Sequence, residues 1–255
     1  MPINIPIARF HQWILNSYGS MRPLALLRIN LALIAWARYG RDLHLFEAQR
    51  NASVLFAAIP FFILSTTTLL GLFSRTSSLL FGLLLFYMAT YIAGEAPQID
   101  WRYNHTYLLG SLTILMAASP CGRSYSLDRY FAVKKARRDG SELPLESGSL
   151  LGAHPICLQI SSVYFWAALD KLTPLFYSGD RIQQIMYQFY FGIDPNPLIE
   201  SNLLCALLAI SVIILEFVLS IGMYVPRSRL VLMAAGATMH SVFTFCFPFK
   251  RILLQ

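Results

Sequence analysis

A lysine at the end of an apolar segment is the side chain of this sequence best suited to acid–base chemistry. Lys171 closes the apolar stretch YFWAALDKL, residues 164–172. Partial burial disfavours the ammonium form of a lysine, so a neutral amine becomes available as a general base. The alternative is a snorkelling lysine that carries its charge to the membrane surface. The adjacent Asp170 is a poor partner in either case, because neighbouring residues on a helix point in different directions.

A histidine at the start of another apolar segment is the second candidate. His105 lies in WRYNHTY, residues 101–107. An imidazole changes its charge near neutral pH and serves as a hydrogen-bond donor or as an acid and base. The alternative is a solvated histidine at the end of a helix. The preceding Asn104 either caps that helix or contacts a substrate.

Three further polar residues lie inside apolar segments: Arg28, Glu216 and His240. An ionisable group within a lipid bilayer is costly, so each of the three is a hypothesis for a functional residue that orients a substrate. The alternative is a structural ion pair, in which Glu216 and His240 bind each other or Arg28.

Metal binding and disulfide formation are not expected. No two histidines have a ligand spacing such as HxxxH, and the cysteines are scattered without a CxxC pair. The thiols of Cys121, Cys157, Cys205 and Cys246 are therefore predicted to be free and to act as small apolar side chains.

The elements that must position these residues are apolar helices. Of the 255 residues, 56% are hydrophobic and 13% are charged, whereas soluble domains carry about a quarter charged residues. The net charge of +7 comes from basic residues placed mostly between the apolar segments. In a membrane protein such charges set the topology, so nucleic-acid binding is not indicated and membrane lipid is the expected partner.

Seven segments are predicted to be transmembrane helices. Five of them have 17 to 22 residues, within the range of roughly 17 to 25 that spans a bilayer, and two, residues 24–38 and 104–119, are shorter. They cover residues 24–38, 54–73, 77–93, 104–119, 154–172, 203–224 and 230–249. The predicted fold class is therefore all-α, a polytopic integral membrane helical bundle with about seven transmembrane helices.

The predicted organisation is a single transmembrane domain, residues 21–250, preceded by a cytoplasmic or interfacial segment, residues 1–20. Residues 7–18 fit an amphipathic helix on the membrane surface. The loop of about residues 121–150 is rich in lysine and arginine, and such loops stay in the cytoplasm. Counting helices outward from it predicts a multi-pass protein of the cell (inner) membrane with a cytoplasmic N-terminus. In that topology His105 and Lys171 both lie toward the outer side.

An ordered set of short motifs resembles the vitamin K-dependent gamma-carboxylase family and the related bacterial HTTM (horizontally transferred transmembrane) proteins. The sequence LLRI surrounds Arg28, and GLFSR at residues 71–75 is similar to a turn of the family. The segment NHTYL at residues 104–108 resembles the family's Asn-His-Ser-Tyr-Leu. Residues 159–172, which contain Lys171 followed by Leu172, resemble the segment that holds the family's catalytic lysine. Arg229 and His240 follow at similar spacing.

The resemblance implies a quinone-linked chemistry. In the carboxylases a lysine deprotonates vitamin K hydroquinone, oxygen converts it to a strongly basic alkoxide, and that base removes a proton from a glutamate to which carbon dioxide adds. By resemblance Lys171 is the starting base, His105 assists it, and Asn104 orients the site. A reduced quinone is then the cofactor, a peptide or protein is the acceptor substrate, and the activity is that of a lyase without a metal.

The sequence also departs from the animal carboxylase. It ends at residue 255, just past the last predicted helix, where the animal enzyme continues into a large lumenal portion, and Asp170 stands where that enzyme has a second lysine. A small HTTM-type protein is therefore the better expectation. The alternative function is a non-enzymatic membrane factor for peptide maturation or export. A transporter or channel is the weakest of the three hypotheses, because paired halves and broken helices are not evident.

Overall fold

The computed structural model describes residues 17–44, 52–93, 101, 104–189, 201–222, 224–225 and 227–246. The amphipathic helix predicted for residues 7–18 therefore lies almost entirely outside the described residues. At its end, Tyr18 belongs to a short strand. Cys246 is described only as the last residue of a helix.

The described part of the chain is mostly helical. The elements in chain order are β1 (Tyr18–Ser20), α1 (Arg22–Tyr39), α2 (Ala52–Leu70), α3 (Ser74–Tyr87), a π-helical turn (Met88–Ile92), α4 (Asn104–Ala117), a 3₁₀ turn (Cys121–Arg123), α5 (Leu127–Asp139), β2 (Ser147–Ser149), α6 (Ala153–Asp170), α7 (Pro174–Tyr177), α8 (Asp180–Phe189), α9 (Asn202–Gly222) and α10 (Arg229–Cys246). Each of the seven segments predicted to span a membrane corresponds to one of these helices.

Two helices in the described residues are long and apolar enough to cross a bilayer. They are the continuous helix Ser74–Ile92 and α9, Asn202–Gly222. The apolar part of α2, Val54–Leu70, is shorter. The helical fold class is therefore confirmed, whereas the number of seven transmembrane helices stays a prediction.

The chain divides into two compact units, Met1–Ile156 and Cys157–Gln255, and the boundary lies within α6. The first unit contains α1 to α5 and the two strands. The second contains α7 to α10 and most of α6. The single domain over residues 21–250 stays a prediction.

Glycines allow α3 and α4 to pack closely and antiparallel in the first unit. A Cβ atom on Gly82 of α3 would lie 2.8 Å from the carbonyl oxygen of Gly110 in α4. Further along, the rings of Phe86 and Tyr107 lie 5.9 Å apart. Small residues at such a crossing are typical of helix packing in membranes, because they let two backbones approach.

The segment predicted as a polar loop, residues 121–150, has regular structure of its own. It contains α5, whose N-cap Ser126 accepts a hydrogen bond from the amide of Arg129 at 3.0 Å. It also contains β2, which pairs antiparallel with β1, Gly148 opposite Gly19. This helix was not predicted because it is rich in charged residues and has no apolar face that would indicate a helix. Its N-terminus is stabilised by the Ser126 cap.

A carboxylate from α5 caps the start of α3. Asp128 accepts hydrogen bonds from the backbone amides of Phe73 and Ser74, both at 2.8 Å, and from the hydroxyl of Ser74 at 2.6 Å. A negative charge at a helix N-terminus is favourable because it pairs with unsatisfied amides and with the helix dipole. The GLFSR turn before α3 is thereby fixed to the segment that follows α4.

Two arginines hold the end of the same segment. Glu146 binds Arg22 of α1 at 2.7 Å and Arg129 of α5 at 3.2 Å. Its backbone carbonyl accepts the amide of Met21 at 2.9 Å. The hydrogen bond from Arg22 lowers the pKa of the Glu146 carboxyl below its ordinary value.

We expect this carboxylate to give the fold an acid-sensitive contribution to stability. Because its pKa is lowered in the folded state, the contribution is present above the ordinary value of 4.5 and is lost as the pH falls through the folded-state pKa. Thermal unfolding in detergent from pH 7 to pH 3 tests this. Glu146→Gln should lower the melting temperature at pH 7 and leave it unchanged at the acidic end. An equal loss at both ends would contradict the role assigned to the ionised carboxylate.

Candidate functional site

Lys171 lies at the C-terminal end of α6 and forms an ion pair within the second unit. Its amide bonds to the carbonyl of Ala168, so it directly continues the last turn. Its Nζ lies 2.9 Å from both carboxylate oxygens of Glu216 in α9 and donates to the carbonyl of Ala167 at 3.1 Å. The Lys171 side chain is 25% exposed and that of Glu216 is 8% exposed. The amine is thus partly accessible, whereas its counter-charge is buried.

The partner of Glu216 differs from the one that the sequence suggested. The structural alternative considered for Glu216 was an ion pair with His240 or Arg28, and its carboxylate forms an ion pair with Lys171 instead. The neighbouring Asp170 is exposed, as expected of a residue that points away from the face of α6 that carries Lys171. A charge as buried as that of Glu216 needs a partner. Lys171, at a helix end 45 residues earlier in the sequence, provides it.

Tyr164 and His240 form a second polar pair in the same unit. The hydroxyl of Tyr164 in α6 and Nε2 of His240 in α10 share a hydrogen bond of 3.0 Å. Tyr164 also lies near the carboxylate of Glu216. It precedes Lys171 by seven residues, two helical turns, and so occupies the same face of α6. That spacing is the signal from which Tyr164 could have been predicted as a member of the site.

Apolar side chains lie beside two of these polar groups. The Lys171 ammonium lies 5.9 Å from the centre of the Phe176 ring, within the range of a cation–π interaction. The rings of Phe165 and Phe217 lie 5.9 Å apart, edge to face. Tyr164 packs against a buried apolar cluster of Leu219, Leu232 and Met239. Lys171 and Tyr164 therefore have apolar neighbours, whereas the side chain of His240 is exposed.

The chemistry of this donor set fits a reduced quinone. A quinone has an apolar ring with two oxygens, so it requires aromatic or aliphatic contacts together with a few hydrogen-bonding groups. Lys171, Tyr164 and His240 would supply the hydrogen-bonding groups for such a molecule, and the Phe176 ring beside Lys171 would supply an apolar contact. The part of the chain that the structure describes has no cluster of three or more His, Cys, Asp or Glu residues arranged to hold a metal.

Arg28 belongs to the first unit and binds backbone carbonyls. It is fully buried in α1. One guanidinium nitrogen donates to the carbonyls of Thr68 and, at 3.0 Å, Leu69 at the end of α2, and the other donates to the carbonyl of Tyr125 at 2.7 Å. Arg28 thus connects α1 to the end of α2 and to the segment before α5 through hydrogen bonds. A role in orienting a substrate stays a prediction.

Asn104 and His105 form the start of α4 in the first unit, and both side chains are exposed. The predicted start of a helix at Asn104 is confirmed. Lys171 belongs to the second unit, so a joint role of His105 and Lys171 in one site stays a prediction. Cys121 and Cys157 have free thiols, and the same state stays a prediction for Cys205 and Cys246.

Comparison with known proteins gives one match. A family model of the HTTM domain matches residues 42–251. The match covers the Lys171–Glu216 and Tyr164–His240 pairs and begins after α1, so Arg28 lies outside it. Neither a curated protein nor a solved structure matches the chain.

Proposed function

Because the chain belongs to the HTTM family, whose members are membrane proteins related to the gamma-carboxylases, we propose that it is a multi-pass membrane enzyme in which Lys171 acts as a base on a reduced quinone. The observation that carries the proposal is the direct contact between the Lys171 amine and the buried Glu216 carboxylate, at 2.9 Å. The acceptor is a peptide or protein, and the topology is that predicted from the basic loop, with a cytoplasmic N-terminus.

Glu216 is the group that makes Lys171 usable as a base. An ammonium cannot accept a proton, so Lys171 must first release one. The hydrogen bond to Glu216 provides an acceptor in direct contact, and transfer along it leaves a neutral amine and a neutral acid. In a site of low dielectric constant, two neutral groups are closer in energy to an ion pair than they are in water. Nζ is then free to accept a proton from a hydroxyl of the bound molecule.

The other residues of the cluster bind and orient. A reduced quinone supplies an acidic hydroxyl and reducing equivalents when it is bound. Tyr164 and His240 would hydrogen-bond its oxygens, and Phe176 would contact its ring. The apolar cluster behind Tyr164 excludes water from this side of the site, which protects a strong base from being quenched. The family resemblance also proposes His105 and Asn104, which lie in the first unit, as functional residues.

The test is the turnover of a reduced naphthoquinone by the purified protein in lipid nanodiscs. Lys171→Arg is the informative variant, because arginine retains the charge that pairs with Glu216 but does not lose its proton. We expect the wild type to bind and consume the naphthoquinol. Lys171→Arg should still bind it and should consume it at least about 100-fold more slowly, as removal of a general base predicts.

Asp170→Asn is the matched control, because it changes a charge at the adjacent exposed position and should leave turnover unaltered. Absence of both binding and turnover in the wild type, or full activity of Lys171→Arg, would refute the proposal. The first of these results would support the second candidate function, a non-enzymatic membrane factor for peptide maturation or export, whereas the second would mean that another group serves as the base.

A further inference from the structure

A cavity of about 600 Å³ in the first unit is lined by three arginines, Arg75, Arg123 and Arg129. The acidic residue of its lining is Asp128, and both oxygens of that carboxylate already accept hydrogen bonds from the first turn of α3. The lining therefore carries three positive charges against one negative charge. The net charge of the lining is suited to an anion.

The three guanidinium groups differ in how many hydrogen bonds and ion pairs they form within the protein. Arg129 is paired through Nε with Glu146 at 3.2 Å, and one of its terminal nitrogens donates to the carbonyls of Arg123 and Pro144 at 3.2 and 2.9 Å. Arg123 donates to the carbonyl of Ser147 at 2.7 Å. Each uses only part of its donor set in this way, since a guanidinium has five N–H groups. Arg75 is exposed and makes no ion pair with any residue that the structure describes. Donors from the three residues thus remain available to a ligand.

The position of the cavity along the fold indicates the class of ligand. Arg75 lies in the first turn of Ser74–Ile92, one of the two helices long enough to cross a bilayer. The cavity is therefore at an end of a candidate membrane span, at the depth of lipid headgroups. Two lining residues, Tyr18 and Leu145, are 60% and 68% exposed. An aromatic and an aliphatic side chain beside basic residues are typical of a protein surface at the membrane interface.

We propose that this cavity binds the phosphate group of an anionic phospholipid. Guanidinium groups bind phosphate oxygens through paired, charge-assisted hydrogen bonds, and three of them line this cavity. The exposed Tyr18 and Leu145 contact the lipid next to its headgroup. The role is independent of the chemistry proposed for Lys171, because the cavity lies wholly within the first unit.

The experiment is native mass spectrometry of the full chain released from micelles that contain phosphatidylglycerol or phosphatidylcholine. We expect the wild type to retain one phosphatidylglycerol. Arg75→Gln should weaken retention about fivefold, as the loss of one basic contact with an anionic lipid predicts. Ala132→Phe places a ring in the lining of the cavity without altering charge, and it should weaken retention as well. Arg137→Gln, on the exposed side of α5, is the control for net charge.

The outcomes separate the two sources of a phosphate group. Retention of phosphatidylglycerol that soluble glycerol phosphate at millimolar concentration does not displace supports the lipid site. Displacement by glycerol phosphate to the same extent in wild type and Arg137→Gln overturns the lipid as the source. Equal retention of both lipids by the wild type, or unchanged retention in both Arg75→Gln and Ala132→Phe, overturns the site itself.

Discussion

Removal of either charge of the Lys171–Glu216 ion pair is expected to destabilise the protein by about 2–4 kcal/mol, and removal of both together should cost much less. Lys171→Ala leaves the carboxylate of Glu216, 8% exposed, without its cation. Glu216→Leu leaves an ammonium that is 25% exposed, so the loss should be smaller, because solvent still screens that charge. The double variant Lys171→Met/Glu216→Leu contains neither charge and packs apolar groups instead.

Unfolding by denaturant in mixed micelles measures these differences, and the two single variants with the double variant form a double-mutant cycle. Asp170→Asn should lie within about 0.5 kcal/mol of the wild type, as most exposed substitutions do. A double variant that loses the sum of the two single losses would show that the residues do not interact. The double variant is also informative about function, because it should be folded and yet unable to consume the naphthoquinol.

The second large effect is expected at Arg28, where substitution should cost about 3–5 kcal/mol. Arg28→Met fills a similar volume but leaves the carbonyls of Leu69 and Tyr125 without their donor, and it leaves that of Thr68 with only the amide of Gly71, at 3.2 Å. Buried carbonyls without hydrogen bonds carry the full cost of desolvation. Arg28→Lys should recover only part of the loss, because a single ammonium does not have the planar, forked donor geometry of a guanidinium.

The melting temperature in detergent checks this prediction, with Arg137→Met as the control for loss of an exposed positive charge. A melting temperature of Arg28→Met that matches the control would contradict the structural role. An Arg28 variant that is stable but unable to bind the naphthoquinol would restore the other hypothesis, in which Arg28 orients a substrate.

The turn at Gly71 has a conformation that only glycine satisfies here. Its φ is +68°, and a Cβ atom would lie 2.6 Å from a guanidinium nitrogen of Arg28. Both the backbone and the packing thus exclude a side chain. The GLFSR turn that resembled the family's motif therefore has a physical explanation, since the glycine gives Arg28 access to the end of α2.

The positions of the apolar helices could be predicted from the sequence because their signal is local. Long apolar runs such as residues 203–224 need no knowledge of neighbours, and α9 covers Asn202–Gly222. The end of α6 at Asp170 and the start of α4 at Asn104 were likewise signalled by polar residues at the limits of apolar runs. Even so, length and composition single out only two candidate spans among the described helices.

The partners within the site could not be predicted in the same way. Lys171 and Glu216 are 45 residues apart and Tyr164 and His240 are 76 apart, and no periodicity along one helix indicates which residue of another helix it meets. Glu216 was chosen as a candidate site residue because a carboxylate in an apolar segment is costly unless it has a partner. That cost does not indicate which cation is the partner. Only Tyr164, on the same face of α6 as Lys171, had a local signal.

The cap that Asp128 places on α3 has a consequence for the synthesis of the chain. Asp128 follows Ser74 by 54 residues, so the first amides of α3 have no such partner when that helix leaves the ribosome. They acquire one only after α4 and the start of α5 have been made. The helix therefore reaches its final form as part of a hairpin with α4, and the segment around Asp128 completes the hairpin from outside the apolar helices. Biogenesis of the first unit thus depends on a residue that is translated well after the helix it completes.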